Sequence, residues 1–148
     1  MLLHHDGYEL DDDRDRLTPH VPDIAATVAA SYWGRTTPAG DIVRSWEASG
    51  LVLGLYHGDA LVGCCRAVTD FARFAYLSDV WIDPAHRGAG LGVWMVGAMI
   101  EHPALPPTRV RWTLDTADAH ALYARFGFVP AGDTAMSRPR SYRPPDAP

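Results

Sequence analysis

The chain has 148 residues and a formal net charge of −5, and all thirteen of its basic residues are arginine. That acidic balance argues against a nucleic-acid partner, whose phosphates require clustered positive charge; a hydrophobic fraction of 47% argues against a disordered chain. No apolar run approaches the roughly 20 residues of a membrane helix, and the start Met1–Asp6 lacks the basic segment and apolar core of a secretory signal, so a single-domain, soluble, cytoplasmic protein is expected.

A short strand is expected at Tyr8–Leu10, followed by a solvated acidic turn, Asp11-Asp12-Asp13-Arg14-Asp15. Pro22-Asp23 opens a helical pattern with Ile24, Val28 and Ala29 on one face, fading at Ser31–Gly34. A second helix is expected from Asp41 to Ala48, closed by Gly50. Two apolar stretches, Leu51–Tyr56 and Ala60–Val68, flank the turn His57-Gly58-Asp59 and read as a hairpin. A third strand runs from Phe74 to Ile82 and stops at Asp83-Pro84. Helical spacing resumes after Gly92 with Val93, Val96, Met99 and Ile100, ending in a loop with Pro103, Pro106 and Pro107. Val110–Leu114 alternates as a strand, a short helix follows over 118–125, and a last strand is expected near Phe128. The domain spans 1–137, and a Pro-rich, frayed tail 138–148 ends the chain.

This order combines an antiparallel hairpin with a β-α-β crossover and implies a mixed sheet with helices on its faces. The adjacent pair Cys64-Cys65 points to opposite faces of a strand, which argues against a disulfide between them, and no Cys or His spacing suggests a metal site.

The turn Arg87-Gly88-Ala89-Gly90-Leu91-Gly92 joins the third strand to the following helix. Its glycines allow close backbone approach, and the first amides of the helix lack internal acceptors, so the turn suits an anion; Arg87 adds a charged donor. A tight turn using glycine only for packing fits the spacing as well. A Walker loop is excluded because the chain has no Lys. The glycines alternate where a dinucleotide fingerprint needs G-x-G-x-x-G, and no Ser or Cys sits between them as in a nucleophile elbow.

Val80-Trp81-Ile82-Asp83-Pro84-Ala85-His86 followed by this turn resembles the acyl-CoA signature of the GNAT N-acetyltransferase superfamily, with its R/Q-x-x-G-x-G/A element on Arg87, Gly90 and Gly92. A second signature, a small helix ending in Tyr and then a Gly-Phe step, falls on Ala119, Tyr123, Gly127 and Phe128. The resemblance covers about residues 8–137 and implies an α/β (mixed α+β) fold, with a mostly antiparallel central sheet, helices on both faces and splayed central strands. It implies an acetyl-CoA-dependent N-acetyltransferase in which a primary amine, of a small molecule or a peptide, attacks the thioester directly, without a metal.

The resemblance further implies that Val80, Trp81 and Ile82 pair their backbone with the pantetheine arm, that Arg87–Gly92 and Val93 hold the pyrophosphate, and that Tyr123 protonates the leaving thiolate. A Tyr hydroxyl, with a reference pKa of about 10, is protonated at neutral pH. Thr116 stands where the superfamily commonly has Asn and keeps a hydroxyl for pantetheine. Asp79 is the candidate base; binding an ammonium and partnering an arginine are the other roles open to it. Tyr76 stands near the position where related proteins often carry a basic Glu. His120, three residues before Tyr123, assists proton movement or merely caps the helix. Tyr32, Trp33, Arg35, Phe74 and Tyr76 are expected around the acceptor. A non-catalytic acyl-CoA sensor is the alternative, a toxin acting on charged transfer RNA is disfavoured by the charge, and either a monomer or a homodimer is compatible with the chain.

Overall fold

The computed structural model describes residues 1–106, 109–133 and 135–136; the expected tail at 138–148, and Pro107 of the expected loop, lie outside them. Strands β1 (Leu2–His5), β2 (Tyr8–Asp11), β3 (Leu51–His57), β4 (Ala60–Thr69), β5 (Phe74–Ile82) and β6 (Arg111–Thr113) form one sheet in chain order. Every neighbouring pair is antiparallel except β5–β6, which is parallel. The helices are α1 (Arg14–Leu17), α2 (Val21–Ala30), α3 (Ala39–Glu47), α4 (Leu91–Ile100) and α5 (His120–Ala124).

Strand alternation divides the core between the two faces of the sheet. Leu53, Leu55, Cys65, Ala67 and Leu77 pack with Leu91, Met95, Val96 and Met99 of α4. Val52 and Cys64 face the other way, against Ile24, Ala25 and Val28 of α2 and Ile42 and Trp46 of α3. The mixed, mostly antiparallel sheet with helices on both faces is therefore present, and the two cysteines are free, buried and on opposite sides. Among the described residues no helix is long and apolar enough to cross a membrane.

Three features differ from the sequence reading. The chain begins with a hairpin, β1–β2, turned by Asp6 and Gly7 at φ 47° and 84°. The acidic run is a helix start, since the Asp13 carboxylate accepts the Asp15 amide at 2.9 Å and caps α1. No strand forms at Phe128, because that residue closes the end of α5.

The sheet opens between β5 and β6. Pairing there covers only Phe74–Tyr76 against Arg111–Thr113, so the edge of β5 from Leu77 to Ile82 has no strand partner among the described residues. A bulge reinforces the opening: Arg66 faces Ser78 and Cys64 faces Trp81, which leaves two β5 residues opposite Cys65. Asp79 takes a left-handed conformation there, at φ 52°. The bulge flips the alternation, so Leu77 and Val80 both pack toward α4 and Trp81 packs toward α2 and α3. Unbroken alternation would have put Asp79, Leu77 and Trp81 on one face; the inserted residue is why they do not share it.

Candidate active site

The opening between β5 and β6 holds a cavity of 540 Å³ that reaches both layers of the fold. On the helix side it is lined by Tyr32, Trp33 and Asp41, on the sheet by Tyr76, Ser78, Asp79 and Val80, and beyond β6 by Asp115, Thr116, Asp118 and Tyr123. A second, more apolar cavity of 630 Å³ lies behind β6 and shares Asp115, Thr116 and Tyr123 with the first. Tyr123 stands where the two meet.

The second signature is a helix-capping device that orients Tyr123. Gly127 is left-handed at φ 79°, its amide bonds Ala124 O at 3.1 Å, and the Phe128 amide bonds Tyr123 O at 3.3 Å. These are the two hydrogen bonds of a Schellman motif, and the apolar contact that accompanies it is present as the Tyr123–Phe128 ring pair, 5.9 Å apart at 67°. The Tyr123 side of the motif is 8% exposed, and no described group hydrogen-bonds its hydroxyl. Burial, with Cys65, Tyr32 and Asp118 nearby, pushes that phenol up to about 12.

Asp79 is not a free carboxylate. Arg66 Nε donates to its Oδ2 at 2.6 Å and Ser78 Oγ to its Oδ1 at 3.2 Å, while the guanidinium also reaches Ser78 and Ser49. Of the three roles left open for Asp79, the geometry matches the arginine partner. Thr116 Oγ1 accepts the Ala119 amide at 3.0 Å and so helps start α5, leaving its hydroxyl proton for another partner.

Two tyrosines join the walls of the cavity. Tyr76 Oη donates to Asp115 Oδ2 at 2.9 Å, and Tyr32 Oη donates to Asp118 Oδ1 at 3.2 Å. Burial and the Asp115 carboxylate raise the Tyr76 phenol to about 12. Of the residues expected around an acceptor, Tyr32, Trp33 and Tyr76 meet in this cavity. Phe74 does not: it starts β5, pairs with Arg111 below the opening and faces solvent. Arg35 is exposed and also outside the lining, and His120 faces the second cavity. Sequence reasoning missed Arg66, Asp115 and Asp118. The two aspartates follow the carboxyl end of a strand in a parallel pair, a place where ligand-contacting loops gather, and that was their available signal.

The turn at Arg87–Gly92 lies past the end of β5, outside both cavities. Gly88 and Gly90 are left-handed at φ 89° and 76°, and a Cβ built on either meets nothing within 4 Å. Packing therefore does not require these glycines; their backbone conformation does. Open space over the first amides of the ten-residue α4, with Arg87 anchored by its Nε to Ile82 O at 2.9 Å, makes a cradle that fits a diphosphate. Among the described residues, no group of three His, Cys, Asp or Glu is placed to hold a metal ion.

The family model for the acetyltransferase (GNAT) family matches residues 21–128. A GNAT-family structure from Xanthomonas campestris pv. campestris, assigned as an acetyltransferase, superposes with TM-score 0.80 at 31% identity, over 92% of this chain and 94% of that one. Glucosamine-6-phosphate N-acetyltransferase from Arabidopsis thaliana shares the fold at TM-score 0.61 and 12% identity, over 90% of this chain and 98% of that one. A Gibberella zeae protein assigned as an acetyltransferase is 39% identical over 64 residues, 43% of this chain and 36% of that relative, so the match spans about a third of the relative's length. On the family match, the 31% identical structure and the two signatures in their observed geometry, the chain belongs to the GNAT acetyltransferase family.

Proposed function

We propose that the chain transfers the acetyl group of acetyl-CoA to a primary amine by direct attack in a ternary complex. The observation that carries this reading is Tyr123, whose unpartnered hydroxyl stands where the β5–β6 opening joins the two cavities. When bound, acetyl-CoA supplies an acetyl group activated as a thioester. Its diphosphate would be held by the amides of Gly88–Gly92 and Val93 with Arg87, and its amide-bearing arm by the unpaired edge of β5 at Val80, Trp81 and Ile82, with Thr116 across the opening.

The amine nitrogen forms the new bond to the acetyl carbon as the carbon–sulfur bond breaks, and the nitrogen loses the proton that the sulfur gains. In this reading Tyr123 Oη holds that proton. A phenol at about 12 lies above a thiol's usual value of about 8.5. Complete transfer from Tyr123 alone would thus be uphill by about 5 kcal/mol. The hydroxyl works as a hydrogen-bond donor to the developing thiolate and passes on the proton released by the amine. Asp79, held by Arg66, acts by fixing the bulge that opens the β5 edge.

Release of free thiol from acetyl-CoA against a panel of primary amines, with mass detection of the acetylated product, tests the proposal. Amine-dependent thiol release is the expected result. Tight CoA binding with no release for any amine would instead identify an acyl-CoA sensor.

A further inference from the structure

Asp115 and Asp118 stand at the mouth of the 540 Å³ cavity, each receiving one hydrogen bond from a tyrosine of the facing wall. A hydroxyl is neutral, and a carboxylate offers about four acceptor positions, so neither charge is compensated. The cavity's other carboxylates are matched, Asp79 by Arg66 and Asp41 by Arg44. Among the described residues no cationic side chain pairs with Asp115 or Asp118. The tyrosine contacts hold both exposed carboxylates at the mouth of the cavity.

Two further features of the cavity point to a ligand in the same space. The Tyr123 hydroxyl, on a side chain more than nine-tenths buried, lines the cavity without a partner. Tyr32 and Trp33, in edge-to-face contact at 5.0 Å and exposed by 48% and 39%, present aromatic faces at the mouth, a surface suited to an alkyl ammonium.

We infer that the acceptor carries a second positive charge besides its reacting amine, and that Asp115 and Asp118 seat that charge. The chemical class is an aliphatic diamine or longer polyamine without carboxylate or phosphate. An acceptor bearing an anion would bring like charge against two uncompensated aspartates, and a simple monoamine would leave one end of the site unfilled. The inference rests on the proposed acyl transfer for the fate of the reacting amine, but the binding preference stands apart from turnover.

Calorimetric titration at low ionic strength, with the free and the CoA-loaded protein, uses three probes of equal chain length: 1,4-diaminobutane, butylamine and 4-aminobutanoate. The diamine should bind at least about tenfold more tightly than butylamine, 4-aminobutanoate should bind most weakly, and added salt should narrow the gap. The double variant Asp115→Asn/Asp118→Asn, verified as folded by circular dichroism, should bring the diamine and butylamine to within about twofold. Equal affinities in the unmodified protein, or an undiminished preference in the double variant, overturn the inference. Thiol release with the same probes keeps the two readings apart. Equal turnover of diamine and monoamine defeats the second-charge inference alone, and preferential diamine binding without thiol release defeats acyl transfer alone.

Discussion

Phe128 packs edge-on against Tyr123, 5.9 Å between ring centres, because the left-handed Gly127 between them reverses the chain at the end of α5. The orientation of the candidate proton donor thus depends on the backbone of a glycine that never touches substrate. Gly127→Ala adds a methyl group that meets no neighbour within 4 Å, so its whole effect is conformational. A non-Gly residue in this region costs about 1 kcal/mol. The variant should lose about that much stability in urea denaturation and should show a reduced kcat with unchanged CoA affinity. Full kcat in the destabilised variant would mean that the cap does not position Tyr123.

Asp79→Asn keeps a residue that tolerates the left-handed bulge but leaves the Arg66 guanidinium without its counter-charge. The two side chains are 6% and 14% exposed, and breaking such a pair from one side costs about 3 kcal/mol. Chemical denaturation should record a loss of that order. A variant of unchanged stability whose kcat fell about a hundredfold would make Asp79 the catalytic base instead.

The turn before α4 separates conformation from contact. Gly90→Ala places a Cβ at φ 76° in the open cradle, and CoA affinity measured by calorimetry should fall by about tenfold or more. Gly40→Ala, in the first turn of α3, also meets nothing within 4 Å but has no positive φ. It should leave CoA affinity unchanged and raise stability by about 0.5 kcal/mol. Equal effects of the two substitutions would remove the anion-binding role from the turn.

In the proposed mechanism the Tyr123 phenol, raised by burial to about 12, works as its protonated form. The folded value lies above the ordinary phenol, so the fold favours the neutral form and the stability gained is present below pH 10. That stability, and the working state of the hydroxyl, are lost as pH rises from about 10 to about 12. The pH profile of kcat should therefore show no descending limb up to about pH 10. A limb at or below the ordinary phenol value would contradict the buried, unpartnered hydroxyl.

Most of this architecture was legible in the chain. Pro84 and the apolar run before it delimit β5 at Ile82, and the spacing of Val96 and Met99 marks the face of α4. The opening hairpin was missed although Asp6-Gly7 is a dipeptide that favours a type I′ turn, because Leu2-Leu3-His4-His5 does not alternate. The bulge was invisible for a deeper reason: Asp79 is displaced by its pairing with Arg66, thirteen residues earlier, and no local pattern encodes that. The expected strand at Phe128 failed for the opposite reason, since a helix cap outcompeted β propensity. At the site, motif spacing located Tyr123 and the glycine turn. Asp115 and Asp118 acquire meaning only when Tyr76 and Tyr32 are brought across from other elements.

The central claim is that Tyr123 serves the chemical step rather than the binding of acetyl-CoA. Thiol release by Tyr123→Phe, compared with the unmodified protein on the best amine of the panel and paired with CoA affinity by calorimetry, tests it most directly. The account predicts a kcat lowered by about a hundredfold or more, with CoA affinity within about twofold. Unchanged turnover in Tyr123→Phe would contradict it.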